Sequence, residues 1–167
     1  MGEEGESLCS RCASAGVTCC QYTQIFLSLG DVARIRAVLP GEDFWEYASP
    51  ADDGYAEDFT YDPVWSRIFA PDGSRRVIRH RPDGGDCHFL TPKGCRLDGD
   101  VRPLVCRLYP FDYNAMAIKG VYGHVCPEPE RYNAPLLLAM LGMNRDAAEG
   151  WRRLLYREIE EEFPPRA

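Results

Sequence analysis

Eight cysteines in two groups, with none between them, constrain this chain more than any other feature. Cys9, Cys12, Cys19 and Cys20 fall within the first 20 residues, and Cys87, Cys95, Cys106 and Cys126 follow after a stretch, residues 21–86, that has none. Cysteine binds metal as thiolate, so a ligand set gathers negative charge that a cation relieves. Cys9-x-x-Cys12 has knuckle spacing, in which two intervening residues let both sulfurs point at one centre. A fold that joins the two groups makes one thiolate-rich region, sufficient for two four-thiolate sites or for one cluster with spare thiols. Zinc in a closed tetrahedron and an iron–sulfur cluster both take four thiolates, and spacing does not separate them. Consecutive side chains tend to point apart. Cys19 and Cys20 are therefore expected to serve different centres, or one of them to stand free.

An even cysteine count also permits disulfides. Two features weigh against them. The acidic start, Met1 to Ser7, has no apolar region behind it and does not read as a secretory signal, so a cytoplasmic protein with reduced thiols is expected. Eight cysteines in 167 residues also fall below the roughly 8–10% of disulfide scaffolds. The longest apolar run, Pro135 to Met143, is far short of the roughly 20 residues of a spanning helix. A net charge of -7 argues against a general nucleic-acid binder.

His88 and His124, close to Cys87 and Cys126, are candidates to replace a cysteine as ligand, to support one, or simply to pack; His80 is a weaker candidate. Between Arg75 and Arg107, eight Lys or Arg face four Asp. Arg102 and Arg107 flank Cys106, where cations would lower thiol pKa values. Equally, these arginines would pair with carboxylates or carbonyls. No GxxxxGK[ST], GxGxxG or HExxH occurs, and Asp86 and Asp112 have no recognisable partner.

The remaining pattern predicts an α+β fold: a small irregular cysteine-rich β region packed with helices in a single domain spanning 1–167. Ser28 caps a helix with Asp31 in its first turn, apolar Val32, Ile35, Val38 and Leu39, and an end at Pro40-Gly41. Glu42 to Ala48 reads as a short second helix, and Ser49 to Tyr61 as a surface loop. Asp62-Pro63 starts a helical turn over Val64 to Phe69. Strand character follows from Arg75 to His80, with turns at Pro71-Asp-Gly73 and Asp83-Gly-Gly85. Thr91-Pro-Lys-Gly94 joins Cys87–Leu90 to Cys95–Leu97 as a hairpin, and Met116 to Tyr122 is a further strand. Asn133 caps residues 134–141. Asn144 caps a longer helix to about Phe163, with Ala148, Trp151, Leu155 and Ile159 on one face. Glu158, Glu160, Glu161 and Glu162 read as a solvated helix end.

Cys9-x2-Cys12 with Cys19-Cys20, then Cys87-His-Phe-Leu90, Cys95-Arg-Leu97, Arg102-Pro-Leu-Val-Cys106-Arg-Leu-Tyr-Pro-Phe111 and Cys126-Pro127 resemble the YkgJ-type cysteine-cluster family, described as zinc- or iron-chelating domains. The resemblance covers about residues 9–127 and leaves the helices of about 133–163 outside it. Six residues, Ala13 to Thr18, precede the paired cysteines, more than in the family pattern. The resemblance implies metal binding through the eight cysteines, with zinc or an iron–sulfur cluster as cofactor, and no settled reaction. An iron–sulfur enzyme or electron carrier is the alternative. A related cysteine motif in flagellin lysine methylases extends that alternative to methyl transfer, although no S-adenosylmethionine loop is evident. A disulfide-linked binding module is the third reading.

Overall fold

The computed structural model describes residues 12–14, 18, 20–21, 23–51, 62–82, 85–121, 135, 138–139 and 141–166. Its elements, in chain order, are α1 (Leu29–Val38), β1 (Trp45–Ala48), a 3-10 helix (Pro63–Ile68), β2 (Arg75–Ile78), β3 (Leu90–Thr91), β4 (Gly94–Cys95), α2 (Leu104–Leu108), β5 (Phe111–Tyr113), β6 (Ile118–Val121) and α3 (Arg145–Glu162). The strands pair antiparallel as β1–β2, β3–β4 and β5–β6. The fold is α+β in one domain, as the pattern predicts.

The caps form where the local sequence places them. Ser28 accepts from the Asp31 N–H while the Asp31 carboxylate accepts from the Ser28 N–H, a closed capping box. Asp62 and Asn144 cap the 3-10 helix and α3 by accepting from Val64 N–H and Ala147 N–H. Val38, expected on the apolar face of α1, is instead exposed.

Glu42 to Ala48 does not form a helix. Residues 45–48 are strand β1, paired from Trp45↔Ile78 to Ala48↔Arg75. A helix this short has little stability of its own, and aromatic residues suit a pleated surface. The edge of β2 decides between the two states. Phe44 is then fully buried and lies 5.5 Å from Phe89, ring centre to ring centre.

The extended segment 25–27 runs along the other edge of β2. Leu27 N–H donates to Arg76 O at 3.2 Å, Ile78 N–H donates to Ile25 O at 2.9 Å, and Phe26 sits opposite Val77. Successive strand residues face opposite sides, so this segment feeds two cores. Phe26 joins Val64, Ile68, Leu104, Leu108, Phe111, Ile118 and the buried face of α3. Ile25 and Leu27 join Val32, Ile35, Phe44, Ile78, Phe89, Leu90 and Leu97. Val105 packs against both.

The acidic end of α3 is only partly the solvated end expected. Glu160 and Glu161 are exposed. Glu158, by contrast, pairs with Arg34 at 2.6 Å and accepts from the Ser28 hydroxyl, and Glu162 pairs with Arg76 at 2.6 Å and accepts from Leu29 N–H at 3.1 Å. Two carboxylates thus face the positive start of α1, where negative charge is favoured.

This contact makes a counter-intuitive prediction at Gly30. Alanine is up to about 1 kcal/mol better than glycine within a helix. A Cβ at position 30, however, would run into the Glu158 carboxylate. Glu158 cannot yield without leaving Arg34 and Ser28. We expect Gly30→Ala to lose about 1–2 kcal/mol in urea denaturation, within the usual range for overpacking. In a Glu158→Ala background the same change should become neutral or stabilising.

Candidate metal centre

Three lengths of backbone bring the early and late cysteines together. Beyond β2, Arg81 N–H donates to Asp86 O at 2.8 Å and His88 N–H donates to Arg79 O at 3.0 Å, which sets His80 opposite Cys87. On the other side of the 86–88 segment, Gln21 lies opposite Asp86 and Cys87 N–H donates to Cys20 O at 3.3 Å. Gln21 Nε2 also donates to Asp86 Oδ1 at 2.9 Å, which supplies the partner for Asp86 that the sequence left open. Because faces alternate, Gln21 and Asp86 share one face, and Cys20, Cys87 and His80 share the other.

Two further elements carry cysteines to the same place. Cys95 lies in β4 opposite Leu90 of β3, and the Thr91 hydroxyl closes that tight hairpin on Gly94 O at 2.8 Å. Cys106 lies in α2 between Leu104 and Leu108, both fully buried. The side chain of Asp31, itself without solvent exposure, accepts from Leu104 N–H at 3.1 Å and so ties the start of α2 to α1. Cys87 belongs to the second core, and Cys20, Cys95 and Cys106 pack against it. Cys12 occupies a helical turn over residues 12–14. That turn reaches the same hairpin: Ala13 packs on this core and the Ser14 hydroxyl donates to Pro92 O at 3.3 Å.

The electrostatics follow from this crowding. Burial pushes the Cys87 thiol up to about 12, and Cys20 and Cys95 add to the rise. Burial also raises Cys95, with Cys20 adding and Arg102 opposing. Cys106 is raised well above the ordinary thiol value, through desolvation first and then the proximity of Cys20, Cys87, Cys95 and Asp31. Each of these thiols resists ionisation partly because the others are near, a situation that a bound cation reverses. Among the described residues, no group of three or more His, Cys, Asp or Glu side chains is close enough to hold an ion as it stands. The donor chemistry of the four thiols suits zinc or an iron–sulfur cluster. Their spacing, among these residues, is wider than a closed site.

Of the two arginines expected to lower thiol pKa values, Arg102 opposes the rise at Cys95 through its charge and a side-chain hydrogen bond, although burial outweighs it, and both also pair with carbonyls, the alternative expectation. Arg102 Nε donates to Leu97 O at 2.9 Å, and Arg107 Nε donates to Arg102 O at 2.7 Å and its NH2 to Asp100 O. They fasten the corner that leads into α2. Other arginines of the basic stretch are also engaged within the chain: Arg76 with Glu162, Arg79 with Asp43 and Glu46, Arg81 with Leu90 O, and Arg96 with Glu42.

His88 is placed away from the ligand role considered for it. Its Nε2 lies 2.9 Å from Glu42 Oε2, and Arg96 binds the same oxygen. The two basic groups hold the Glu42 carboxyl below its ordinary value. Cys9, Cys19, Cys126 and His124 lie outside the described residues. So do the Asn133 cap, most of the helix expected over 134–141, residues 83–84 of a predicted turn and most of the loop to Tyr61. Asp31 is the residue that sequence reasoning undervalued. Asp31 was legible as a helix-start carboxylate, but its bond to Leu104, 73 positions away, had no local signal.

No helix among the described residues is long and apolar enough to cross a membrane. No protein-family model matches the chain, and no match is found among curated proteins or solved structures.

Proposed function

We propose that this protein binds a metal centre, zinc or an iron–sulfur cluster, through thiolates drawn from Cys9, Cys12, Cys19, Cys20, Cys87, Cys95, Cys106 and Cys126. The observation that carries the proposal is the backbone bond from Cys87 N–H to Cys20 O, which joins the two sequence-distant groups in one sheet row, with Cys95 and Cys106 packed on the same core. Without such a junction, the cysteines of the two groups would be separate thiols. The resemblance to YkgJ-type cysteine-cluster domains supports the same reading. A reducing compartment such as the cytoplasm would keep these thiols available.

In this reading Cys20, Cys87, Cys95 and Cys106 hold the centre with their neighbours from the N-terminal group. The metal would cross-link segments that otherwise meet through a few hydrogen bonds and the packing of the second core. The arginines, paired internally, fix the loops that present the sulfurs.

The test is elemental analysis of protein purified without oxygen. Stoichiometric zinc in a colourless protein, or iron with acid-labile sulfide in a brown one, is the expected result and also decides the metal. Protein that is metal-free and takes up neither zinc nor a reconstituted cluster overturns the proposal.

A further inference from the structure

Strand β1 is paired on one side only. Arg79 N–H donates to Phe44 O at 2.9 Å, and the register runs on from Trp45↔Ile78 to Ala48↔Arg75. In an antiparallel ladder the bonds to a neighbour fall on every second residue. Phe44, Glu46 and Ala48 therefore turn their backbone groups toward β2, and Trp45 and Tyr47 turn theirs away from it. Residues 25–27 take the far edge of β2, and among the described residues nothing pairs with the outer edge of β1. The chain leaving β1 is tied to the far side of the sheet, since Gln24 Nε2 donates to Ser49 O at 2.8 Å and Gln24 Oε1 accepts from Ala51 N–H at 3.2 Å. An open edge is a template for another strand, and proteins commonly guard one with lysine or proline. Here the outward positions hold Trp45 and Tyr47, an edge-to-face pair with ring centres 5.6 Å apart, and Tyr47 is 54% exposed.

We infer that β1 is a docking edge for an extended, basic peptide segment of a partner protein, which adds to the sheet as a further strand. Side chains alternate between the two faces of a strand. Trp45 and Tyr47 share one face, where the Arg76 guanidinium lies 5.5 and 5.8 Å from their ring centres and pairs with Glu162. That face offers apolar surface and already holds its cation. Glu46 lies on the other face, where Arg79 answers two carboxylates, Glu46 at 3.3 Å and Asp43 at 3.2 Å, so negative charge is left over. The surrounding sequence adds to it: residues 37–66 hold eight Asp or Glu and no Lys or Arg. The segment that fits places apolar residues beside Trp45 and Tyr47, with a Lys or Arg between them facing Glu46. Main-chain bonds then supply affinity, and the alternation supplies selectivity. A second copy of this chain fits less well. The edge is four residues long, well short of the about 1,200–2,000 Å² of a stable interface, and β1 has no basic residue to set against Glu46 of the copy. Docking at this edge does not depend on the metal centre.

The experiment is fluorescence anisotropy of a labelled peptide of alternating Val and Lys, titrated with the full chain, with amide hydrogen exchange as a second readout. Saturable binding is expected, together with slowed exchange at the Trp45 and Tyr47 amides. Tyr47→Pro removes an outward N–H and no bond to β2, and should lose binding. Tyr47→Val keeps that N–H and should retain it. Glu46→Gln should bind about two- to five-fold more weakly, the worth of an opposed charge pair on a sheet. On the parent protein, the same peptide with every backbone nitrogen methylated should fail to compete, although its side chains and charge are unchanged. No saturable binding by the parent overturns the inference. Equal competition by the methylated peptide also overturns it, since attraction would then be charge alone. Sedimentation that shows peptide-free chains joined as dimers, which Tyr47→Pro dissociates, overturns it in favour of self-pairing.

Discussion

On the proposed function, replacing Cys106 with alanine is expected to remove much of the stability that bound metal would add, while changing the metal-free chain little. Cys106 is held on α2 between two fully buried leucines, and its N–H donates to Pro103 O at 2.9 Å. It shares its electrostatic surroundings with Cys20, Cys87 and Cys95. A structural zinc contributes about 10–16 kcal/mol in small zinc-binding peptides, against about 5–15 kcal/mol of net stability for a whole domain. Losing one ligand of the proposed centre should remove several kcal/mol of that. Without metal, the same substitution deletes one sulfur from a half-buried position, a change of about 1 kcal/mol. The check is thermal unfolding of parent and variant, each with and without a strong chelator. The expected pattern is a large gap between them when loaded and a small gap when stripped. A variant that melts like the parent and keeps its full metal content would show that Cys106 is not a ligand.

The second large effect should come from Asp31, which carries no thiol. Its carboxylate accepts from Ser28 N–H at 3.2 Å, from Arg34 at 2.6 Å and from Leu104 N–H at 3.1 Å. Asp31→Ala would take one of its two carboxylate partners from Arg34, which keeps Glu158, and leave two amides unpaired in a buried setting. Breaking one side of a buried charged network costs about 3–5 kcal/mol, and we expect a loss in that range by urea denaturation. Asp31→Asn should lose roughly half as much, because burial already disfavours the charge, raising the carboxyl above its ordinary value. Asp31 also anchors the start of the helix that presents Cys106, so Asp31→Ala should release metal to a chelator faster than Asp31→Asn. A loss below about 1 kcal/mol for the alanine variant would show that the network is solvated rather than buried.

These two residues mark where sequence reading succeeds and where it stops. The helix starts at Ser28 and Asn144 were legible because a cap bonds to an amide three residues away. The 90–95 hairpin was legible from Thr91-Pro-Lys-Gly94, since Gly94 has the positive φ of 103° that the turn requires. Residues 45–48 were misread because an aromatic segment of this length takes its state from whatever edge it meets. Helix α2 and strand β5 are too short to leave a periodic trace, and both depend on α3 and β6 for their packing.

The sequence alone determined the donor chemistry: which residues can hold a soft metal, and that they come in two groups. It also determined the elements whose bonds close within a few positions. Only the tertiary structure decided that Cys20 lies beside Cys87, that His80 lies opposite Cys87 while His88 pairs with Glu42, and that Glu158 and Glu162 belong to the start of α1 rather than to solvent. Those outcomes depend on strand register and on partners tens of residues away, and a one-residue slip in register would turn each side chain to the opposite face.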